Sequence, residues 1–202
     1  MKSKILGMVV VGLLVGPMGA QAELIDFDSL ANGTSLTNQY AAQGVLFTGF
    51  EDGVEIAPEV RSQQFISVPA SAPNYLTNFF RFPSTVGASR LDEIRISFLS
   101  PVSGVGFVLN TAGTNTVAAQ IYDFNGDFLQ EVGLVGNSVL NVAQVLPGVN
   151  IGRISLFQPD DTWWWSMDNL QFNRVRVPEP GTLALLGLGL AGLGLSRRRK
   201  AA

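Results

Sequence analysis

Short apolar or alternating segments recur along the middle of this 202-residue chain, and turn-forming residues separate them. Arg95-Ile96-Ser97-Phe98 and Arg153-Ile154-Ser155-Leu156 alternate polar and apolar side chains, which is typical of half-buried β-strands. No window between residues 23 and 177 has a convincing helical period. About ten strands without interleaved helices predict an all-β fold, a two-sheet antiparallel β-sandwich of the jelly-roll type.

The spacing of these segments also predicts particular strands and loops. Strands are expected at Phe65–Val68, Ile94–Leu99 and Val105–Leu109. The three prolines and the polar residues of Pro69–Ser89 predict a long loop. Asn125-Gly126, between two apolar runs, is a strong hairpin signal.

The N-terminus has the composition of a secretory signal peptide. Lys2 and Lys4 precede an apolar run, and small residues follow up to Ala20-Gln21-Ala22, an A-x-A cleavage pattern. We expect a signal-peptide helix over residues 1–22, with cleavage after Ala22, and a β-sandwich domain over residues 23–177. The alternative is a permanent anchor, which the shortness of the apolar run disfavours because a spanning helix needs ~20 residues.

The C-terminal residues 178–202 form a second segment of distinct composition. Gly181–Leu195 is built from Leu, Gly and Ala apart from one threonine, and a basic cluster follows it. We expect a hydrophobic helix here. It would be roughly 22 Å long at ~1.5 Å per residue, shorter than the ~30 Å hydrocarbon core of a bilayer. Basic residues stay on the cytoplasmic side, so this helix would hold the β-sandwich outside.

This tail resembles the PEP-CTERM sorting signal of proteins processed by exosortase. The resemblance is carried by Pro178-Glu179-Pro180, the Leu/Gly/Ala-rich segment, and the basic residues Arg197, Arg198 and Arg199. It implies that exosortase is a processing partner and that the inner membrane holds the chain before processing. It also implies a link with exopolysaccharide and biofilm. The alternative is an ordinary single-pass anchor.

Two further stretches resemble the first and last strands of β-sandwich domains in such exported proteins, domains that are similar to carbohydrate-binding modules. The stretches are Ile25-Asp26-Phe27-Asp28, with the residues after it, and Ser166–Phe172. In such jelly rolls a calcium ion often ties the first strand to the last. The resemblance therefore implies a structural Ca²⁺ held by Asp28 and Asp168, with Asp26 as a weaker candidate. The alternative is that Asp28 caps a loop and Asp168 stands in a turn.

Charge and residue types exclude several kinds of function. Residues 23–177 contain seven arginines, no lysine and fifteen acidic residues, a net charge of −8, so nucleic acid is not expected as a partner. The chain has no cysteine and no histidine. It therefore lacks the usual ligands of zinc and copper and the usual base of serine and cysteine hydrolases.

Trp163, Trp164 and Trp165 are the most conspicuous aromatic feature. In a strand the first and third tryptophans face one way and the second the other way. One hypothesis is that one side stacks on sugar rings, helped by Asp160 and Asp161. The alternative, which we favour here, is that these tryptophans pack in the core or on a sheet.

Two groups of carboxylates admit a functional and a structural interpretation. Asp123, Asn125 and Asp127 show alternate oxygen spacing, but a glycine and a glutamate of a calcium loop are missing at the required positions, which favours a plain hairpin tip. Glu51, Asp52, Glu55 and Glu59 contain enough carboxylates for a glycosidase pair. A solvated acidic edge is the usual meaning of such a run.

The sequence thus predicts an exported, non-catalytic protein with transient inner-membrane attachment, which then resides in the envelope, at the surface or in the extracellular matrix. Binding of extracellular polysaccharide is the leading hypothesis. A structural or adhesive module that binds protein partners or itself is the alternative. A carboxylate-dependent enzyme acting on glycans ranks third.

Overall fold

The computed structural model describes residues 22–62, 71–80, 89–111, 113–142, 146–158, 163–175 and 187–189. The predicted signal peptide before Ala22, the predicted strand Phe65–Val68 and both predicted terminal helices lie outside these residues, apart from 187–189, whose backbone is helical. The sorting residues Pro178, Glu179, Pro180 and Arg197–Arg199 lie outside them too, as do Asp160 and Asp161.

The described part of residues 22–175 is built almost entirely from β-strands, and every strand pair is antiparallel. One short 3₁₀ helix, Ala41–Gln43, precedes the second strand. The strands are β1 (Ala22–Ile25), β2 (Val45–Glu51), β3 (Val54–Ile56), β4 (Glu59–Ser62), β5 (Asn74–Thr77), β6 (Phe79–Phe80), β7 (Ser89–Arg90), β8 (Glu93–Thr111), β9 (Thr116–Asp123), β10 (Phe128–Val135), β11 (Asn137–Asn141), β12 (Ile151–Phe157) and β13 (Trp165–Arg174). The predicted all-β class is confirmed.

Strand β8 belongs to both layers of the sandwich. Its first half pairs with β12 on one side and β2 on the other, whereas its second half pairs with β13 and β11. The sequence predicted two separate strands here, which is wrong, because the backbone stays extended through Pro101. Proline has no amide hydrogen, so Pro101 can only accept a backbone hydrogen bond. Its carbonyl accepts one from the Val175 amide at 2.9 Å.

Two layers follow from these pairings. The first runs in the order β10, β9, β12, first half of β8, β2, β3. The second contains β11, the second half of β8, β13, β5 and β4, and β1 also pairs with β13. Side chains of the two layers meet between them, as in the Phe98–Phe172 contact, with ring centroids 5.4 Å apart. The predicted sandwich is therefore confirmed.

The core is a single cluster of alternate side chains from both layers. In β9, for example, Val117, Ala119 and Ile121 are fully buried while the residues between them face outward. A ring cluster of Phe27, Tyr40 and Phe47 closes one part of the core, with centroids 5.6–6.0 Å apart in edge-on contacts. Burial of such side chains supplies most of the stability, at ~1.5–3 kcal/mol for each large one.

The segment Pro69–Ser89, predicted as a loop, contains the buried strand β5. All four residues of that strand are buried, including the polar Asn74 and Thr77. Their polar groups are satisfied: the Asn74 side chain donates to the Leu30 carbonyl at 2.7 Å, and the Thr77 hydroxyl donates to the Trp165 carbonyl at 2.7 Å. Residue types that are common in turns can therefore occupy this buried strand, because backbone carbonyls accept hydrogen bonds from their side chains.

The Asn125-Gly126 hairpin is confirmed. It joins β9 to β10, and Gly126 has a φ of +94°, which glycine adopts without the steric cost that other residues meet.

Gly49 in β2 leaves no room for a side chain. A Cβ there would lie 2.5 Å from Leu91 Cδ1 and 2.6 Å from the Ile56 carbonyl oxygen. We expect Gly49→Ala to lower the free energy of unfolding by about 1–3 kcal/mol, because backbone atoms must move. Denaturant titration measures this.

Gly133→Ala in β10 is the matched control, because its Cβ would meet only the Thr116 methyl group, at 3.2 Å. We expect a change of less than about 1 kcal/mol there. Equal losses in both variants would contradict the packing described for Gly49.

Candidate functional site

The first and last strands bring the predicted metal ligands to one edge of the second layer. β1 pairs with β13 from Ala22↔Asn173 to Ile25↔Leu170, as the jelly-roll prediction requires. Asp26 and Asp28 follow β1, and Asp168 lies on β13 just before a bulge. We call Asp26, Asp28 and Asp168 the acidic edge.

The backbone is unusual on both sides of this edge. Phe27 has a φ of +59° and Asn169 a φ of +52°, both in the left-handed region. For the fully buried Phe27 this conformation is costly, whereas asparagine tolerates it better. Next to these two positions, Asp28 and Asp168 accept hydrogen bonds from one short segment, which ends at the first residue of β5: Ser71 donates to Asp168 and Asn74 donates to Asp28.

Asp168 is a buried carboxylate held by hydrogen bonds. Its Oδ2 accepts the Ser71 amide at 2.8 Å and the Ser71 hydroxyl at 3.1 Å, and its Oδ1 accepts the Asn169 amide at 2.7 Å. Burial raises the pKa of Asp168, the hydrogen bonds lower it, and the nearby charge of Asp28 raises it again. The pKa lies above its usual range.

Asp28 and Asp26 are anchored to the same region. Asp28 Oδ1 accepts the Asn74 amide at 2.8 Å, and Asp26 Oδ1 accepts the Asp28 amide at 3.2 Å. Burial, together with the charges of Asp26 and Asp28, raises the pKa of Tyr40 to about 12 against the lowering effect of a hydrogen bond to Ser29. The acidic edge is thus a region of unbalanced negative charge.

The carboxylate oxygens of the acidic edge are the type of ligand that calcium binds. Asp28 and Asp168 offer carboxylate oxygens, and among the described ion pairs neither has a basic partner. No group of three Asp, Glu, His or Cys residues close enough to hold a metal occurs within the described residues. Because calcium takes six to eight oxygens, backbone carbonyls and water would have to complete the shell.

The tryptophan run divides as alternation predicts. Trp163 and Trp165 are buried in the core, so they present no face on which a sugar can stack. Trp164 is partly exposed, and the Arg90 guanidinium lies 5.5 Å from the centroid of its ring. The packing alternative therefore describes two of the three tryptophans, and the stacking hypothesis is restricted to Trp164.

The outward face of the first layer carries a surface that the sequence prediction missed. Cross-strand partners on this face align Arg95 with Ser155 and Gln120, and Ser97 with Arg153 and Tyr122. Side chains directly opposite each other share one face of a sheet. We call the following side chains of this face the outer platform: Phe50, Glu93, Arg95, Gln120, Tyr122, Phe128, Glu131 and Arg153.

Arginine and aromatic side chains of the outer platform are stacked on each other. The Arg95 guanidinium carbon lies 4.0 Å from the Phe50 ring centroid, and that of Arg153 lies 3.9 Å from the Tyr122 centroid. Phe128, which is 56% exposed, contacts Tyr122 edge-on at 5.7 Å. These contacts hold flat groups in fixed positions on the sheet.

Polar groups of the platform form a chain beside the rings. The Tyr122 hydroxyl donates to Gln120 at 2.9 Å, and Gln120 donates to Glu131 at 2.9 Å. Arg95 donates to both oxygens of Glu93, at 2.7 and 2.9 Å. Burial raises the pKa of Glu93, but the hydrogen bond and charge of Arg95 and the charge of Arg153 outweigh burial, so the pKa lies below its usual range.

The signal for this surface was present in the sequence but incomplete. The alternation of Arg95 with Ser97 and of Arg153 with Ser155 predicted half-buried strands. Which polar positions become neighbours depends on strand register, and register cannot be read from one sequence of this kind.

The other predicted carboxylate groups have structural partners. Asp123 Oδ1 accepts the amides of Asn125 and Asp127, at 2.8 and 2.9 Å, and these hydrogen bonds lower the pKa of Asp123. They shape the hairpin tip. Glu59 pairs with Arg61, while Glu51, Asp52 and Glu55 belong to the β2–β3 hairpin.

Comparison with known proteins concerns the tail and the fold. A family profile, the PEP-CTERM protein-sorting motif, matches residues 176–200. The chain carries a PEP-CTERM sorting motif. The motif marks an exported protein that is sorted to the cell envelope or surface. A search among curated proteins finds no match. In the part of the chain that the structure describes, no helix is long and apolar enough to cross a membrane.

Three solved structures of carbohydrate-binding modules are similar in part. A mutant of a family 29 module has 8% identity and a TM-score of 0.39, covering 79% of this chain and 99% of its own. A module named CBM61, in complex with β-1,4-galactotriose, has 15% identity and a TM-score of 0.36, with coverage of 72% and 100%. A module named CBM11 has 10% identity and a TM-score of 0.37, with coverage of 80% and 100%. Likenesses at this level transfer no ligand.

The raised pKa of Asp168 makes a testable contribution to stability. Between the unfolded value of about 3.9 and the raised native value, the native state binds the proton more tightly than the unfolded chain does. This contribution is lost as pH rises through the native pKa. With a chelator present, we expect wild type to lose stability relative to Asp168→Asn as pH rises from about 4 through the raised native pKa of Asp168. Thermal unfolding across pH measures the difference.

Asp123→Asn is the control, because the pKa of Asp123 is lowered and the sign reverses. Its contribution is present at neutral pH and is lost as pH falls through the native pKa. Parallel pH curves for wild type and Asp168→Asn would show that burial does not perturb Asp168.

Proposed function

We propose that this chain is an exported, non-catalytic protein of the cell surface or extracellular matrix, and that it binds polysaccharide on the outer platform. The observation that supports the proposal is the set of rings, guanidinium groups and amides fixed side by side on one sheet face. Aromatic and guanidinium planes give apolar or polarisable surfaces for sugar rings. Gln120, Tyr122 and Glu131 give donors and acceptors for hydroxyl groups.

Electrostatics also favour this surface for a polysaccharide. The positive charges of Arg95 and Arg153 oppose the negative charges of Glu93 and Glu131, so the platform is close to neutral on a domain with a net charge of −8. A weakly acidic polysaccharide therefore meets less repulsion here than elsewhere on the domain.

The sorting motif supports the cellular setting of the proposal. We infer that exosortase processes the tail around Pro178-Glu179-Pro180, after the hydrophobic segment has held the chain at the inner membrane. The same setting connects the protein with exopolysaccharide and biofilm. We propose no catalytic role for Glu51, Asp52, Glu55 and Glu59, because Glu59 is paired with Arg61 and Asp52 and Glu55 are exposed in the hairpin that also contains Glu51.

We propose a structural role for calcium at the acidic edge. Asp28 and Asp168 would hold the ion and Asp26 would contribute to the charge around it. A bound cation would offset the buried charge of Asp168 and tie β1 to β13 in a chain without disulfides.

The second candidate function is self-association through strand β10. Within the described residues β10 lies at the end of the sheet order and has a partner strand, β9, on one side. Unpaired strand edges bind other strands, and β10 also exposes Val135 and Phe128.

Polysaccharide binding should depend on the rings and guanidinium groups of the platform. We expect Tyr122→Ala and Arg153→Ala each to weaken binding at least tenfold, about 1.4 kcal/mol, because each removes one half of the stacked pair. Affinity electrophoresis against a neutral β-glucan and an acidic polyuronate measures the change, with calcium present.

Val139→Ala is the matched control, because Val139 is 72% exposed on β11 in the other layer. We expect it to bind like wild type. Retention of neither polysaccharide, together with a sedimentation coefficient that rises with protein concentration, would favour self-association. If Val139→Ala weakened polysaccharide binding as much as Tyr122→Ala and Arg153→Ala do, the outer platform would not be the binding surface.

Calcium should stabilise the fold in a way that depends on the acidic edge. At a free concentration one hundred times its dissociation constant, an ion adds about 2.7 kcal/mol, which for a domain of this size raises the Tm by roughly 5–10 °C. We expect Asp28→Asn and Asp168→Asn to abolish this rise and Asp123→Asn to keep it. Thermal unfolding with and without a chelator measures the change in Tm. If calcium still raised the Tm of Asp168→Asn, Asp168 would not be a calcium ligand.

A further inference from the structure

The chain enters and leaves the sandwich at the same end. Ala22, at the start of β1, lies opposite Asn173, and the Glu23 carboxylate contacts the Arg174 guanidinium at 3.2 Å. The Val175 amide then donates to the Pro101 carbonyl at 2.9 Å, one residue before the sorting motif begins. We call this the exit end of the domain.

Strand register places further segments at the exit end. Arg174 is opposite Val102, Val102 is opposite Ile151, and Ile151 is opposite Asp123. The tip of the β9–β10 hairpin therefore projects from the same end. An open cavity of about 390 Å³ lies there, with Pro101, Phe124, Leu129 and Val149 among its lining residues.

Three large apolar side chains at the exit end face solvent. Leu99 is 53% exposed, Leu24 is 50% exposed and Phe124 is 45% exposed. They come from three separate strands or turns, and the Leu99 amide bonds to the Gly44 carbonyl at 2.8 Å beside the entry to β2. Single exposed apolar residues are ordinary. Here Leu99 lies two residues before Pro101, Phe124 follows Asp123 at the hairpin tip, and Leu24 lies two residues after the start of β1, so all three are near the point where the chain leaves the domain.

The length of the connection limits how far this end can lie from a membrane. Only five residues separate Val175 from Gly181, where the apolar segment starts. Six steps of the chain span at most about 20 Å, whatever their conformation. When the apolar segment is in the bilayer, the exit end is therefore close to the lipid headgroups.

We propose that the exit end rests on the lipid surface while the tail is attached, with Leu24, Leu99 and Phe124 in the interfacial layer. The proposal rests on the membrane attachment inferred above. Asp123 and Asp127 lie in the same hairpin, so the surface that fits is zwitterionic rather than strongly anionic. Phe50 and Arg95 of the outer platform lie about 23 Å or more along β8 from Val102, so this part of the platform then stays accessible to polysaccharide.

The absence of cysteine from the chain allows clean single-site labelling. The full chain, with its tail, carries one polarity-sensitive fluorophore at Leu99→Cys or Phe124→Cys, in phosphatidylcholine vesicles that contain a lipid-borne quencher. The controls are Val54→Cys and Val139→Cys, at side chains 62% and 72% exposed but remote from the exit end. Val54 lies in the hairpin beside Glu93, about 30 Å along β8 from Val102.

We expect the labels at positions 99 and 124 to lose at least half of their emission to the quencher, and those at 54 and 139 to keep theirs. Far-ultraviolet circular dichroism verifies that each variant is folded. If the chain floats with vesicles but the four labels are quenched equally, this orientation is wrong and membrane attachment stands. A chain that does not float overturns both the attachment and the orientation, whereas polysaccharide binding is judged separately.

Discussion

The continuity of strand β8 through both layers is the constraint on which the rest of the structure depends. Its first half presents Arg95 and Glu93 on the outer platform, while Ile94, Ile96 and Phe98 fill the core from the other face. Its second half pairs with β13 and so fixes where Asp168 lies relative to β1. Between the two halves, the Pro101 carbonyl accepts a hydrogen bond from the Val175 amide near the end of the domain. One strand thus sets the platform, the acidic edge and the exit end together.

The sequence predicted the fold class well because strand alternation is a local property. Val117, Ala119 and Ile121 alternate with the outward-facing residues of β9, and Asn125-Gly126 fixes a hairpin between neighbouring strands. Strand β5 was not predicted, because Asn74 and Thr77 are residue types that are common in loops. They fit a buried strand because the Leu30 and Trp165 carbonyls accept hydrogen bonds from their side chains. Those acceptors lie far away in the chain, so no local pattern reveals them.

Candidate sites were harder to predict for the same reason. Asp28 and Asp168 became candidates through a resemblance, and the structure places them on neighbouring segments that hydrogen-bond to residues 71 and 74. The three tryptophans looked equivalent in sequence, yet two of them are core residues. Tyr122 and Arg153 are 31 positions apart, and only the register of β9 against β12 makes them neighbours. Because the residues of the outer platform are spread over several strands, they form no short motif in the sequence.

A short motif over residues 176–200 marks this chain for sorting, whereas binding is proposed for a surface on its folded body. The most direct test of that proposal is amide chemical-shift mapping on the isotope-labelled protein, with a soluble β-glucan and a polyuronate as probes. The account predicts that a bound polysaccharide shifts the amides of Gln120, Tyr122, Arg95 and Arg153 most strongly. Shifts confined to β4, β5 and β11, or none with either polysaccharide, would contradict it.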